Sequence, residues 1–141
     1  MSWEKLNNHE LQACRKLLML DVSEAAELIG KVSPRTWQYW ESGRSAVPDD
    51  VDMEMYGLIG LRNSMIEAIT DEFEEGSPIP YFHYFDEFSE AFPDQNKVTW
   101  RLLQSAASYV FCEGGDVQLT SKAEIDTNGR LYQLITVGEV D

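Results

Sequence analysis

The sequence predicts a mainly α-helical protein with a helix-turn-helix layout in its first third, a helical extension, and a small β-hairpin near its end. Three observations lead there. Apolar residues recur at helical spacing over most of the chain as far as Cys112. The stretch Leu20–Val47 reads as two short helices, each closed by a glycine, Gly30 and Gly43. Finally, Asn128-Gly129 separates two runs of alternating character, Val117–Ile125 and Leu131–Val137, and Asn-Gly between such runs signals a hairpin turn. A length of 141 residues with 43% hydrophobic content suits one compact unit, or a small domain carrying an extension.

The first helix starts at Asn7, because Asn followed three residues later by Glu10 can form a reciprocal cap, and Leu11, Cys14, Leu17 and Leu18 give it an apolar stripe. The second starts at Asp21, with Glu24 as the matching partner and Ala25, Ala26, Leu28 and Ile29 as its buried side. Gly30 stands where this helix must stop, in a position suited to the left-handed conformation. Ser33-Pro34 opens the third helix, with a hydroxyl to cap it and a ring already fixed at helical φ. It should end near Ser42.

On this third helix Trp37 and Trp40 share one face and anchor it. Arg35, Gln38, Tyr39 and Ser42 follow i, i+3, i+4, i+7 spacing along another face. Such a row suits the DNA major groove, where Arg can bond guanine O6 and N7 and Gln can bond adenine N6 and N7. Tyr can reach a phosphate or pack on a thymine methyl.

Downstream, Pro48-Asp49-Asp50 opens a long helix in which Val51, Met55, Leu58, Met65, Ile66, Ile69 and Phe73 recur at helical spacing, with Gly57 and Gly60 marking close packing or a break. Asp71 to Glu75 reads as its solvated acidic end. Gly76-Ser77-Pro78-Ile79-Pro80 is a linker or sharp turn and divides a DNA-reading part, 1–75, from an extension, 76–141. The aromatic stretch from Tyr81 to Phe92 carries Asp86, Glu87 and Glu90 among its rings, which favours packing or self-association over stacking on single strands.

Lys97 to Cys112 forms a helix with two apolar stripes, Val98, Leu102, Ala106, Tyr109 and Trp100, Leu103, Ala107, Val110, ended by Gly114 and Gly115. Either the first stripe meets the same helix of a second copy, making Val98, Leu102, Ala106 and Tyr109 a dimer interface, or the helix is wholly buried in one chain.

At this point the residues resemble a known family. The pattern SEAAELIG…VSPRTWQYWESGR resembles the Cro/C1-type repressors, in which a Trp-Glu-x-Gly-basic run ends the recognition helix, here Trp40-Glu41-Ser42-Gly43-Arg44. More narrowly, ELQACRKLLMLDVSEAAELIG with WQYWESGRSAVPDD is similar to the YdiL-like family of small bacterial and phage regulators, which includes repressors associated with anti-CRISPR operons. The match is dense over residues 7–61 and loose beyond. It implies a lambda-repressor-like helix-turn-helix bundle. It also implies base and phosphate contacts at Ser33, Arg35, Gln38 and Tyr39, backbone contacts at Ser42 and Arg44, and an Arg15–Glu41 pair tying the first helix to the third. Lys31, Thr36 and Ser23 complete the expected DNA-binding set. The turn Gly30-Lys31-Val32-Ser33 is one residue longer than the Gly-x-Ser of the wider pattern, an insertion that bears on how the recognition helix is set.

A formal net charge of −14 opposes binding to a polyanion. The charge is not evenly spread. Residues 1–48 hold six basic and six acidic side chains, so the excess lies wholly downstream, among five basic and nineteen acidic ones. A locally neutral reading face with its acid elsewhere can bind a specific site while binding random DNA poorly.

No basic-then-apolar leader and no run of about 18 apolar residues is present, which points to a soluble, cytoplasmic protein without a membrane partner. Cys14 and Cys112 lack metal-ligand spacing and read as reduced, buried thiols, and His9 and His83 make no metal site. No phosphate loop, nucleophile arrangement or cofactor motif argues for an enzyme.

The expected function is therefore a sequence-specific transcriptional regulator, a homodimeric repressor reading an inverted-repeat operator in double-stranded DNA with helix 33–42. Two alternatives stand beside it. One is an antitoxin-like protein whose acidic C-terminal part neutralises a basic partner while DNA binding serves autoregulation. The other is a helix-turn-helix that only packs.

Overall fold

The computed structural model describes residues 5–73, 76–114 and 116–138; Glu74, Glu75 and Gly115, read above as part of an acidic helix end and as a helix stop, lie outside them. The protein is mainly helical, with one two-stranded parallel sheet among the described residues. It divides into two compact units, residues 1–59 and 60–141.

In the first unit α1 (Asn8–Leu17) begins with the expected reciprocal cap. The Glu10 amide donates to Asn7 Oδ1 at 2.8 Å and the Asn7 amide to Glu10 Oε1 at 2.9 Å. Leu11 and Leu18 are buried, and Met19 turns the chain in the left-handed region at φ 62°. Asp21 and Glu24 cap α2 (Val22–Ala25) in the same reciprocal way.

From Ala26 to Gly30 the helix widens into a π-helical turn. The left-handed residue closing it is Lys31, at φ 56°, rather than the expected Gly30. Both the Lys31 and Val32 amides donate to the Ala26 carbonyl, so the extra residue of the turn is taken up by wider winding at the helix end. Gly30 is needed for space instead. A Cβ there would lie 3.0 Å from Trp40 Cζ3 and Val32 Cγ2, and 3.1 Å from Trp37 Cε3.

Ser33 caps α3 (Pro34–Ser42), Pro34 occupies its first turn, and Gly43 closes it at φ 83°. Trp37 and Trp40 are buried, with ring centroids 5.4 Å apart. The first part of α4 (Asp49–Glu72) adds Val51 and Met55 to this core. Asp52, also buried, accepts the Leu6 amide at 2.8 Å. Gly57 and Gly60 mark neither a break nor a close approach, because the helix runs through both and a Cβ at either would meet open space.

The second unit holds the rest of α4, with Met65, Ala68 and Ile69 buried, and then β1 (Pro78–Pro80), α5 (Phe85–Ala91), α6 (Lys97–Cys112), β2 (Gln118–Thr120) and α7 (Arg130–Thr136). The segment read as a linker supplies β1, whose Ile79 is fully buried and pairs in parallel with Leu119 of β2. The prolines flanking Ile79 suit a strand with a free edge.

The expected C-terminal hairpin does not form. Gln118–Thr120 pairs with β1, and Leu131–Val137 contributes a helix. Leu131, Leu134 and Ile135 are buried at i, i+3, i+4 spacing, which is helical rather than alternating. Asn128-Gly129 leads into α7, with Gly129 as its N-cap at φ −83° and the Asn128 amide on Asp126 Oδ1 at 2.9 Å. Glu72 caps this helix from α4 by accepting the Leu131 amide at 3.0 Å, and its carboxylate occupies the space a Cβ on Gly129 would need.

The aromatic stretch packs inward. Phe82, Phe88 and Phe92 are buried against one another, and the Phe82 carbonyl accepts from Trp100 Nε1 at 2.7 Å and Gln104 Nε2 at 2.9 Å. Both stripes of α6 are filled within the chain through most of its length: Val98, Leu102 and Ala106 are buried alongside Trp100, Leu103 and Ala107. Of the four residues expected to meet a second copy, Tyr109 alone is exposed. Cys14 is half-buried, and Cys112 is exposed rather than buried. Among the described residues no helix is long and apolar enough to cross a membrane.

Candidate nucleic-acid interface

The site is built on a carboxylate that locks α3 onto α1. Glu41 sits on the inner side of α3, where Arg15 grips it with two bonds, Nε to Oε2 at 2.6 Å and Nη2 to Oε1 at 3.0 Å. Trp37, one turn earlier, adds its indole N–H to Oε2 at 2.5 Å. The third arm of Arg15 donates to the Leu20 carbonyl at 3.0 Å, so one guanidinium joins the end of α1, the following turn and α3. Asn8 completes the tie, its side-chain Nδ2 donating to the Glu41 backbone carbonyl at 3.2 Å. Burial pushes the Glu41 carboxyl up, but the hydrogen bonds and charge of Arg15, with Trp37 and Gln12, outweigh it and hold the carboxyl below its ordinary value.

With its inner side fixed, α3 turns its polar row outward. Ser33, Arg35, Gln38, Ser42 and Arg44 are exposed, and Thr36 and Tyr39 are half-buried. Two kinds of side chain stand in this row. Arg35 and Gln38 have no hydrogen-bonding or ionic partner among the described residues. The others are engaged within the chain. Ser33 Oγ accepts the Thr36 amide at 3.3 Å and lies 3.2 Å from the Thr36 hydroxyl. Ser42 Oγ donates to the Tyr39 carbonyl at 3.2 Å, and the Arg44 guanidinium lies over the Tyr39 ring, 4.6 Å from its centroid.

Lys31 is exposed but turned back onto the π-helical turn Ala26–Gly30, its Nζ donating to the Leu28 carbonyl at 2.9 Å. Its charge also acts on Glu54, whose carboxyl is raised by burial and by Asp50 against the opposing pull of Lys31. Ser23 is exposed on α2.

Several of these contacts are not legible in the sequence, three of them central to the site. Trp37 and Glu41 are four apart, a spacing that could have suggested the indole bond. The Asn8 contact spans 33 positions and leaves no local trace. The Tyr39–Arg44 stack crosses the helix end, where helical periodicity stops applying.

The Aca2/YdiL-like family matches residues 6–119. The chain is 53% identical over 111 residues to the Aca2 repressor of Pectobacterium phage ZF40, covering 77% of this chain and 96% of that protein. It is 26% identical over 110 residues to the protein YdiL of Escherichia coli strain K12, covering 75% and 93%. The matched span includes every residue of the polar row and of the Glu41 tie.

Proposed function

The chain belongs to the Aca2/YdiL-like family, and on that footing we propose that it is a sequence-specific DNA-binding transcriptional regulator of the lambda-repressor-like helix-turn-helix type. It acts as a homodimeric repressor, reading an inverted repeat with α3 of each copy. The DNA-reading role belongs to the part before residue 76. The observation that carries this reading is the division of labour on α3. Its inner side is bolted to α1 through Glu41, while Arg35 and Gln38 project outward with no hydrogen-bonding or ionic partner among the described residues.

In the mechanism α3 enters the major groove as a rigid body. Arg35 bonds a guanine and Gln38 an adenine, each good bidentate pair contributing roughly 1–3 kcal/mol of discrimination. Of the engaged residues, Ser33, Thr36, Ser42 and Arg44 hold the phosphate backbone on either side. Lys31 closes the preceding helix and adds positive charge near the groove. Two copies related by a two-fold axis double the readout over two half-sites. The acidic balance of the remainder suppresses non-specific binding, leaving base contacts to decide where the protein settles.

The test is enrichment of duplexes from a randomised pool, with the mass of the free protein measured in parallel. The wild type is expected to enrich an inverted repeat and to run as a dimer. Arg35→Ala should keep its fold and lose that preference; if it enriches the same repeat as the wild type, α3 is not the reading helix.

A further inference from the structure

Arg44 lies just beyond the left-handed Gly43, outside α3, where an exposed arginine ordinarily samples many rotamers. Here both its backbone and its side chain are referred to one residue. The Arg44 amide donates to Ser42 Oγ at 3.4 Å, and Ser42 Oγ in turn donates to the Tyr39 carbonyl at 3.2 Å. The Ser45 amide donates to that same carbonyl at 3.1 Å. Above this frame the guanidinium carbon stands 4.6 Å from the centroid of the Tyr39 ring.

A guanidinium lying over a ring uses its π face and keeps its in-plane N–H groups, the edge that grips a phosphate in bidentate fashion. A lysine in the same place would bring the charge without the plane.

We propose that Tyr39 is a positioning residue: its ring holds the Arg44 guanidinium so that the free N–H edge meets a DNA phosphate, and its hydroxyl is not required. The assignment rests on the DNA-binding reading of α3 given above. It changes the role of Tyr39 from a group that touches DNA to one that acts through another.

The experiment measures affinity and salt dependence on the duplex that the wild type enriches, and on a scrambled duplex of equal length and composition. Arg44→Ala is expected to weaken both by a similar factor, roughly fivefold per half-site, and to reduce the salt slope by about one per half-site. Tyr39→Phe should match the wild type. Tyr39→Leu should fall to the level of Arg44→Ala, and the double variant should fall no further. A purely structural role for the ring would lower thermal stability without this non-additivity or the change in slope.

Loss in Tyr39→Phe equal to that in Tyr39→Leu overturns the assignment, because the hydroxyl would then be the contact. Losses that multiply in the double variant overturn it as well. Should Tyr39→Leu unfold, Arg44→Lys decides in its place: a loss as large as in Arg44→Ala supports the stack, and full retention rejects it. A wild type that binds neither duplex overturns the DNA-binding reading itself, a result distinct from normal selection with multiplied losses.

Discussion

Arg15 in the first unit and Arg62 in the second are both buried, at 8% and 7% exposure, yet their surroundings differ in kind. Arg15 faces a carboxylate, bonds it twice, and spends its remaining arm on a backbone carbonyl. Arg62 has no carboxylate partner among the described residues. Its Nε donates to Ser105 Oγ at 2.7 Å, Nη1 to Asn63 Oδ1 at 3.1 Å, and its guanidinium lies over the Tyr109 ring, 5.4 Å from the centroid. Burial pushes the Arg62 guanidinium below its ordinary value, with the neighbouring Tyr109 working the other way.

The difference bears on function. A buried ion pair with both partners in place fixes an orientation, and removing one partner strands the other charge. A buried cation on neutral partners fixes less and is easier to replace by apolar volume. The first arrangement stands behind the proposed reading helix.

The comparison is broken most directly at Arg15. Arg15→Ala should destabilise the protein by about 3–5 kcal/mol, read from chemical denaturation, because Glu41 is left buried and charged. Arg62→Met should cost at most about 1 kcal/mol in the same measurement. Equal losses at the two sites would remove the distinction drawn between them.

Overpacking tests the same joint from its other side. Gly30→Ala should cost about 1–3 kcal/mol, since the new Cβ meets two tryptophan rings and Val32 at 3.0–3.1 Å. Gly43→Ala should cost about 1–2 kcal/mol from its left-handed backbone alone.

The gentlest probe is pH. The Glu41 carboxyl is held low in the folded protein, so its contribution is fully present above the unfolded glutamate value of about 4.3 and is lost as pH falls through the folded value below that. Stability measured from neutral pH downward should therefore decline below about pH 4.3, and the part of the decline due to this residue should vanish in Glu41→Gln.

The first unit was far more legible in the sequence than the second, and the reason is range. Asn7 with Glu10, Asp21 with Glu24, and Ser33 with Pro34 act within one helical turn, so their caps could be read from neighbouring letters alone. In the second unit the decisive partners are distant. Ile79 finds Leu119 forty positions away, and Glu72 caps a helix that starts at Arg130. Asn128-Gly129 carries the local signature of a hairpin turn, and only the distant Glu72 carboxylate makes it a helix start. At the candidate site, spacing marked Arg35 and Gln38 on the outer row but could not tell free side chains from engaged ones. Lys31, part of the expected DNA-binding set, donates to the Leu28 carbonyl, a bond that its neighbours in the sequence do not announce.

Whether α3 reads bases is decided by base-pair replacement along the enriched duplex. Each base pair of the enriched duplex is replaced in turn, and the affinity of the wild type and of Gln38→Ala is measured for every replacement. Gln38→Ala is expected to lose discrimination at one base pair in each half-site, placed symmetrically, and to keep it elsewhere. A uniform loss across all positions, or an unchanged profile, would contradict it.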